Sequence, residues 1–384
     1  MLARRRFGIG TPLPACTVLL VFVMCGCTDD ARAPVAAADS WPEADALFHA
    51  DPDWLGGDGA LSVPLGGERV LWLFGDSFVA TSAARARTES EMIRNTVAIQ
   101  QGLDPRSASM TFAWRTDPDD SPAPFFADMG DRWFWPGHGV RLPEGPLVLF
   151  LEAVRATPGA GLGFTEAGFV AVRIDNPDDP PLSWELTWLE PPTLGADPSV
   201  SLGIAALHEG EHVYAMATAG GSRHVGWLAR LRTRDLIAGT LDPEWWAGTA
   251  AGWLTAAALG DRAPATVIDD IGSECSVHRD DRLDRYVHVA SRGFGASTIA
   301  MRTAERLTGP WTEAADVFTP PESRGSRPFV YAGKAHPELT TDDASDLVVT
   351  YATNSFEFRD LFTPAGQALY WPRFVRLRLE IPAP

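Results

Sequence analysis

The chain has 384 residues, 45% hydrophobic and 21% charged, with 32 basic against 50 acidic side chains and a net charge of −18. That balance excludes nucleic acid and anionic membrane surfaces as partners, because phosphate contacts need clustered Lys and Arg. Beyond a leader, about 340 residues remain, enough to bury one large core.

The N-terminal stretch reads as an export address. Arg4-Arg5-Arg6 precedes apolar Ala15 to Met24, a run too short to span a bilayer. Three arginines here are ordinary n-region charge, with a twin-arginine signal as the rarer reading. Met24-Cys25-Gly26-Cys27 followed by Thr28-Asp29-Asp30 resembles a bacterial lipobox, with Met24 where Leu is usual. It predicts a signal peptide over residues 1–27, lipidation at Cys27, and a lipoprotein in the periplasm or at the cell surface. An ordinary signal peptide and an uncleaved anchor are the alternatives. Cys16, Cys25 and Cys27 lie in this leader, which leaves Cys275 alone in the folded part with no intramolecular disulfide. Residues 28–42, rich in Ala, Asp and Pro, predict a flexible tether, and residues 43–384 a single domain.

Further along, one hairpin module recurs: a Gly-rich or polar opening, a short apolar strand, a turn, then a strongly apolar strand ending in a polar residue. In the first, Gly66-Gly67 supplies the turn between two apolar runs. The copies run from Asp58 to Asp76, His138 to Glu152, Gly203 to Thr218, Glu274 to Ser291, and Lys334 to Asn354. A third strand follows each, at Asn95–Gln100, Gly168–Arg173, Val225–Arg230, Thr298–Arg302 and Arg373–Arg378. Repeats of three or four antiparallel strands predict an all-β, five-bladed β-propeller. Short helices are expected at Arg234–Ala238 and Thr249–Leu259, and loop insertions at Asp104–Arg132 and Leu236–Asp270. The 14 tryptophans suit core packing or stacking on sugar faces.

In a propeller the inner strands line a channel, so the openings Asp58, His138, Gly203, Glu274, Lys334 and His336 are expected to converge. Asp76, Glu152, Thr218, Ser291 with Arg292, and Asn354 should ring them. Carboxylates on inner strands are costly unless paired or solvated, which argues for a site. Asp58 and Glu274, on the first and fourth units, predict a pair flanking a glycosidic bond, Asp58 as base and Glu274 as acid, with inversion favoured. Asp76 would orient the base or replace it. Trp135, His138, Glu152, Arg292, Lys334, His336 and Asn354 are the candidate substrate contacts. Each has a structural counter-reading: an Asx turn for Asp58, a strand end for Asp76, an ion pair with Arg279 or Arg292 for Glu274, Arg155 as partner of Glu152, core burial for Trp135. No ligand spacing predicts a metal or other cofactor, and a structural calcium among channel carboxylates is left open.

These residues also carry a resemblance. GGDGALSVPL (56–65), LWLFGDSF (71–78), WPGHG (135–139), SEC (273–275), LTGPW (307–311), YAGKAHPEL (331–339) and YATNS (351–355) resemble the family of domain of unknown function 4185. That family is similar to five-bladed propeller glycosidases such as glycoside hydrolase family 43 and includes bacterial endo-D-arabinanases. The resemblance implies a furanoside- or glycan-hydrolysing propeller with an Asp base and a Glu or Asp acid, falling on Asp58 and on Glu274 or Asp76. The better-known propeller glycosidases place the acid on the third blade, whose opening here is Gly203, so an acid at Glu274 departs from their pattern. Gly75-Asp76-Ser77 with His336-Pro337 resembles GDSL esterases, but Gly333 stands where their Asp belongs and the α/β alternation is missing. The expected function is an exported, monomeric glycoside hydrolase acting on a poly- or oligosaccharide. The alternatives are a non-catalytic glycan-binding surface propeller and, least favoured, the esterase.

Overall fold

The computed structural model describes residues 33–143, 145–159, 163–191, 199–219, 224–293 and 297–382. The leader with Arg4, Arg5, Arg6 and Cys27 lies outside the described residues. In chain order come β1 (Val35–Ser40), β2 (Trp54–Gly57), β3 (Leu61–Gly66), β4 (Arg69–Phe74), β5 (Ser77–Ala80), β6 (Ser90–Ile93), β7 (Thr96–Gln101) and β8 (Ser109–Ala113). β3, β4, β7 and β8 form the first sheet; β2, β5 and β6 form a small separate one. After the short pair β9 (Arg115–Thr116) and β10 (Pro122–Ala123), the second sheet is β11 (Arg132–Arg141), β12 (Leu147–Ala156), β13 (Phe164–Ile174) and β14 (Leu186–Leu189). The third is β15 (Val200–Glu209), β16 (His212–Ala219), β17 (Gly226–Arg232), β18 (Glu244–Trp246) and β19 (Trp253–Thr255). The fourth is β20 (Cys275–Asp280), β21 (Arg285–Arg292), β22 (Thr298–Ala304) and β23 (Ala315–Phe318). The fifth is β24 (Pro328–Ala335), β25 (Asp346–Ser355), β26 (Arg373–Leu379) and, from the other end of the chain, β1.

The molecule is therefore mostly antiparallel β-structure, as expected. Its α-helices among the described residues are single turns: Pro42–Asp45, Thr233–Ile237 and Ala256–Leu259. Of the helix expected at 249–259, only the last turn forms, because Trp253–Thr255 pairs with β18 as an edge strand. The tether also begins to fold earlier than expected. Val35 to Ser40 hydrogen-bonds along β26 as the outer strand of the fifth sheet, where it supplies partners to backbone groups that would otherwise form an open edge.

The second strands read as unbroken apolar runs, and β4, β12 and β25 are buried along nearly their whole length. Such a strand must be covered on both faces. The cover is the neighbouring sheets. Leu71 and Leu73 of the first sheet pack with Leu149 and Val170 of the second, and Phe150 of the second with Ala206 and Ala215 of the third. Met216 and Leu228 meet Cys275 and Val277 of the fourth, whose Val287 and Met301 meet Val349 and Val375 of the fifth. Val348 and Phe374 of the fifth then pack against Trp72 and Phe74 of the first. Trp72 is fully buried there and donates its Nε1 hydrogen to Gln100 Oε1 at 2.7 Å. Truncating it to Ala would cost about 3–5 kcal/mol.

Candidate active site

Of the polar openings read from the sequence, Glu274 directly precedes β20, whereas His138, Gly203 and Lys334 are not strand starts. β11, β15 and β24 begin several residues earlier, and each loses register part-way, between Pro136 and Gly139, Leu202 and Ala205, and Tyr331 and Lys334. In the first sheet the same interruption separates β2 from β3, leaving Asp58, Gly59 and Ala60 between them. A bulge adds unpaired residues and re-aims side chains, so turn-like residues appear in mid-strand. His138, Gly203 and the Ala332-Gly333 pair are such bulge positions. Gly203 takes φ of +91°, and a Cβ there would stand 2.1 Å from the Cβ of Phe150. The third sheet therefore offers no acid at this position, because packing demands glycine.

Carboxylates from the first, second and fourth sheets come within electrostatic reach of one another. Asp58 accepts a hydrogen bond on Oδ2 from the Tyr331 hydroxyl at 2.7 Å and from the Tyr370 hydroxyl at 3.2 Å. Its Oδ1 lies so close over Gly75 that a Cβ on that residue would meet it at 2.4 Å, which explains the glycine before Asp76. The two acids are bound together through backbone: Asp58 N–H donates to Asp76 O at 3.3 Å and Gly75 N–H to Asp58 O at 3.0 Å. Asp76 receives Trp135 Nε1 at 2.8 Å on one oxygen and faces Arg94 at 3.5 Å with the other. Glu152 accepts from Ser201 Oγ at 2.6 Å. Glu274, 32% exposed in its side chain, lies 3.8 Å from Lys334 Nζ.

Burial is the main force on protonation here. It pushes Asp58 up to about 8, helped by the charges of Asp76 and then Glu274, against the two tyrosine hydrogen bonds. It pushes Glu152 up to about 7, with the Ser201 bond opposing and Glu166 and Glu274 adding. Asp76 is also raised by burial, with Trp135 and Arg94 pulling back. Lys334 is lowered by burial, while Glu274 and Asp58 favour its charge. Asp58 therefore holds its proton at neutral pH.

Four other expected contacts are placed differently. His336 is fully buried between Ser62 Oγ at 2.5 Å and Thr350 Oγ1 at 2.7 Å, and desolvation keeps it neutral. Lys334 is also buried; its ammonium donates to Gly59 O and Ala332 O and reaches the site only through Glu274. Arg292 turns outward to Ala314 O and Asp316 at 3.1 Å each, so it leaves the cluster because an outer-strand carboxylate claims it. Asn354 uses Oδ1 to accept from Ser355 N–H at 2.7 Å. His138 is held neutral by burial, at about 4. The anticipated ion pairs also change partners: Arg155 meets Asp131 and Arg279 meets Asp284, leaving Glu152 and Glu274 to the site. The esterase reading fails on Ser77. That serine is fully buried, donates to Gly75 O at 2.9 Å and contacts Thr96 Oγ1 at 2.9 Å, while His336 is bound to Ser62.

Tyr331, Tyr370, Arg94 and Ser201 were missed from sequence. Tyr331 sits in the YAGKAHPEL stretch and was legible as part of it; Tyr370 carries no local signal. Tyr370 adopts φ of +64°, a left-handed backbone costing about 1–3 kcal/mol for a bulky residue. The segment before it is held by buried Arg87, which donates to Leu361 O, Gly366 O and Leu369 O as well as to Leu55 O beside the site. Among the described residues, no three His, Cys, Asp or Glu side chains are grouped to hold a metal ion.

A similar solved structure shares the fold. A candidate hydrolase from Bacteroides ovatus superposes with a TM-score of 0.69 at 20% identity, over 88% of this chain and 89% of its own. Levansucrase from Bacillus subtilis (TM-score 0.45, 10% identity, 81% of this chain and 82% of that one) and an exo-β-1,3-galactanase from Phanerochaete chrysosporium (0.45, 13%, 84% and 60%) are too distant to carry an argument. No curated protein is similar in sequence. The family model that matches is not the domain of unknown function 4185 suggested by the motifs. With that model aligned over residues 43–379, the chain belongs to the family described as Domain of unknown function (DUF5005).

Proposed function

We propose that this protein is a glycoside hydrolase built as a five-bladed β-propeller, acting on a poly- or oligosaccharide outside the cytoplasm and anchored through a lipid on Cys27. The observation that carries the catalytic reading is Asp58: a partly exposed carboxyl, with Tyr331 and Tyr370 bonded to one oxygen, kept protonated near neutral pH by burial and by Asp76 and Glu274. Such a group suits proton donation to a leaving glycosidic oxygen. This reverses the roles expected from sequence. Asp58 is the acid, and Glu274, from another sheet, is the carboxylate that activates water. Asp76, gripped by Trp135 and Arg94, orients Asp58 and keeps its proton on. The cyclic packing of five sheets supports the blade count, and the Bacteroides protein of the same fold is itself described as a hydrolase.

The test is a digest of a glycan panel that includes arabinans, with reducing ends counted and the first-formed anomer read by NMR. Release by wild type and its loss in Asp58→Asn and Glu274→Gln is expected, with inverted product. A chain that binds but never cleaves would leave the glycan-binding reading in place of the hydrolase. Radiolabelled palmitate incorporated by wild type and absent from Cys27→Ser tests the anchor.

A further inference from the structure

Asp58 stands at the inner end of two chains of aromatic rings. Along one, Tyr331 touches Phe329 at 5.4 Å between centroids, and Phe329 touches Phe356 at 4.8 Å. Along the other, Tyr370 touches Phe78 at 5.2 Å, and Phe78 touches Phe358 at 6.1 Å and Phe362 at 5.6 Å. Both chains run from the Asp58 carboxyl to the surface, the second through the buried rings of Tyr370 and Phe78; at their outer ends Phe356 is 52% and Phe358 45% exposed. Met92, 38% exposed, is the cross-strand partner of Phe78, so it shares that face of the small sheet. Of the six large hydrophobic side chains exposed among the described residues, three thus gather at one place. Scattered exposed apolar residues are ordinary; a gathered patch joined to a site marks a binding surface.

We propose that this bank, centred on Phe356 and Phe358, is a subsite for sugar units of a polysaccharide chain beyond the unit held at Asp58. The inference rests on the glycan-hydrolase reading and names its substrate class: a polymer and not a short glycoside. Sugar rings present C–H faces that pack on aromatic faces while their hydroxyls stay in water, which suits rings left half exposed. A single sugar seated at Asp58 cannot cover the phenylalanines at the outer end of each chain. The continuity of the partly exposed rings of Tyr331, Phe329 and Phe356 with Asp58 therefore selects an occupant that itself continues away from the site.

The experiment is native gel electrophoresis of the full chain through arabinan, xylan, galactan and levan, comparing wild type with Phe356→Ser, Phe358→Ser and the double variant. Leu182→Ser, an exposed apolar residue elsewhere, is the control, and thermal unfolding confirms that each variant is folded. The expected result is retention of wild type and control by at least one polymer, with apparent affinity about tenfold weaker in the double variant, the scale expected when one large aromatic surface no longer packs on the sugar. Unchanged retention of the double variant overturns the subsite, as does a wild type retained by none of the polymers. Co-sedimentation with phosphatidylcholine vesicles, or a dimer in size-exclusion chromatography, either one abolished by the double variant, would assign the bank to a lipid surface or a second copy and also overturn it. Cleavage is scored separately. Polymer retention that disappears with the phenylalanines in a chain that hydrolyses nothing keeps the subsite and removes the hydrolase; cleavage indifferent to them does the reverse.

Discussion

Two polar regions lie within the ring of sheets, and they differ in what water can reach. The first holds Asp58, Asp76, Glu152 and Glu274, all partly exposed. The second holds Ser62, His278, Lys334, His336, Thr350 and Glu338, with Lys334 and His336 almost entirely buried. In the second region most groups answer one another: Ser62 donates to Glu338, His336 is bonded on both ring nitrogens, and Lys334 is bonded to two carbonyls. Its histidines are neutral because burial drives their pKa down, His278 to about 4. In the first region all four carboxyl residues are partly exposed, and burial raises the pKa of Asp58, Asp76 and Glu152. Titratable residues among the sheets are thus of two kinds, a buried scaffold bonded mostly within itself and a cluster that stays partly exposed.

The sharpest way to break this comparison is Asp58→Asn. On the polymer that wild type cleaves, kcat should fall about 10³-fold, the scale of general acid catalysis. A loss under tenfold would place the chemistry elsewhere. Because the active form is protonated, wild-type activity should also decline as pH rises through about 8. Tyr331→Phe and Tyr370→Phe come next, each lowering kcat by about 10–100-fold, since hydrogen bonds to a charged group are worth about 1.5–3 kcal/mol. Both bonds favour the ionised carboxylate, so their loss should move the alkaline limb to higher pH. A limb that shifts downward would contradict the assigned geometry.

The scaffold should respond in the opposite sense. His336→Leu strands the hydroxyl of Thr350 and leaves Ser62 with Glu338 alone, and should cost about 1–3 kcal/mol of stability, read by urea unfolding, with the pH profile of activity unmoved. A displaced pH profile would join the two regions into one. Asp58→Asn has a smaller thermal consequence. Between about 4 and 8 the folded chain retains a proton that the unfolded chain releases, so wild-type stability falls as pH climbs through that window and levels off above it. The Asn variant should lack that slope and melt higher than wild type at pH 8. Last, Ser77→Ala should remove two buried hydrogen bonds, about 1–2 kcal/mol together, and leave any ester hydrolysis unchanged.

Hairpin periodicity was legible because a strand between two packed sheets must be apolar on both faces, and such runs as Val148–Leu151 and Leu347–Val349 announce themselves. Asp58, Asp76 and Glu274 were legible for the complementary reason: acids beside such runs need a compensating role. Strand starts were not, since a bulge at Gly137-His138 or Ala332-Gly333 has the same composition as a turn. Arg292 and His336 were misplaced because a residue's position along a strand does not say whether an outer-strand carboxylate or an inner hydroxyl will claim it. Local order therefore follows from the residue pattern: all-β structure, repeated hairpins and which segments carry acids. Packing between segments far apart in the chain settles the rest. β1 completes the fifth sheet only when β26 is beside it, Tyr370 reaches Asp58 only through the loop that Arg87 holds, and the Asp58 carboxyl is pushed toward its protonated form because folding desolvates it and brings Asp76 and Glu274 near.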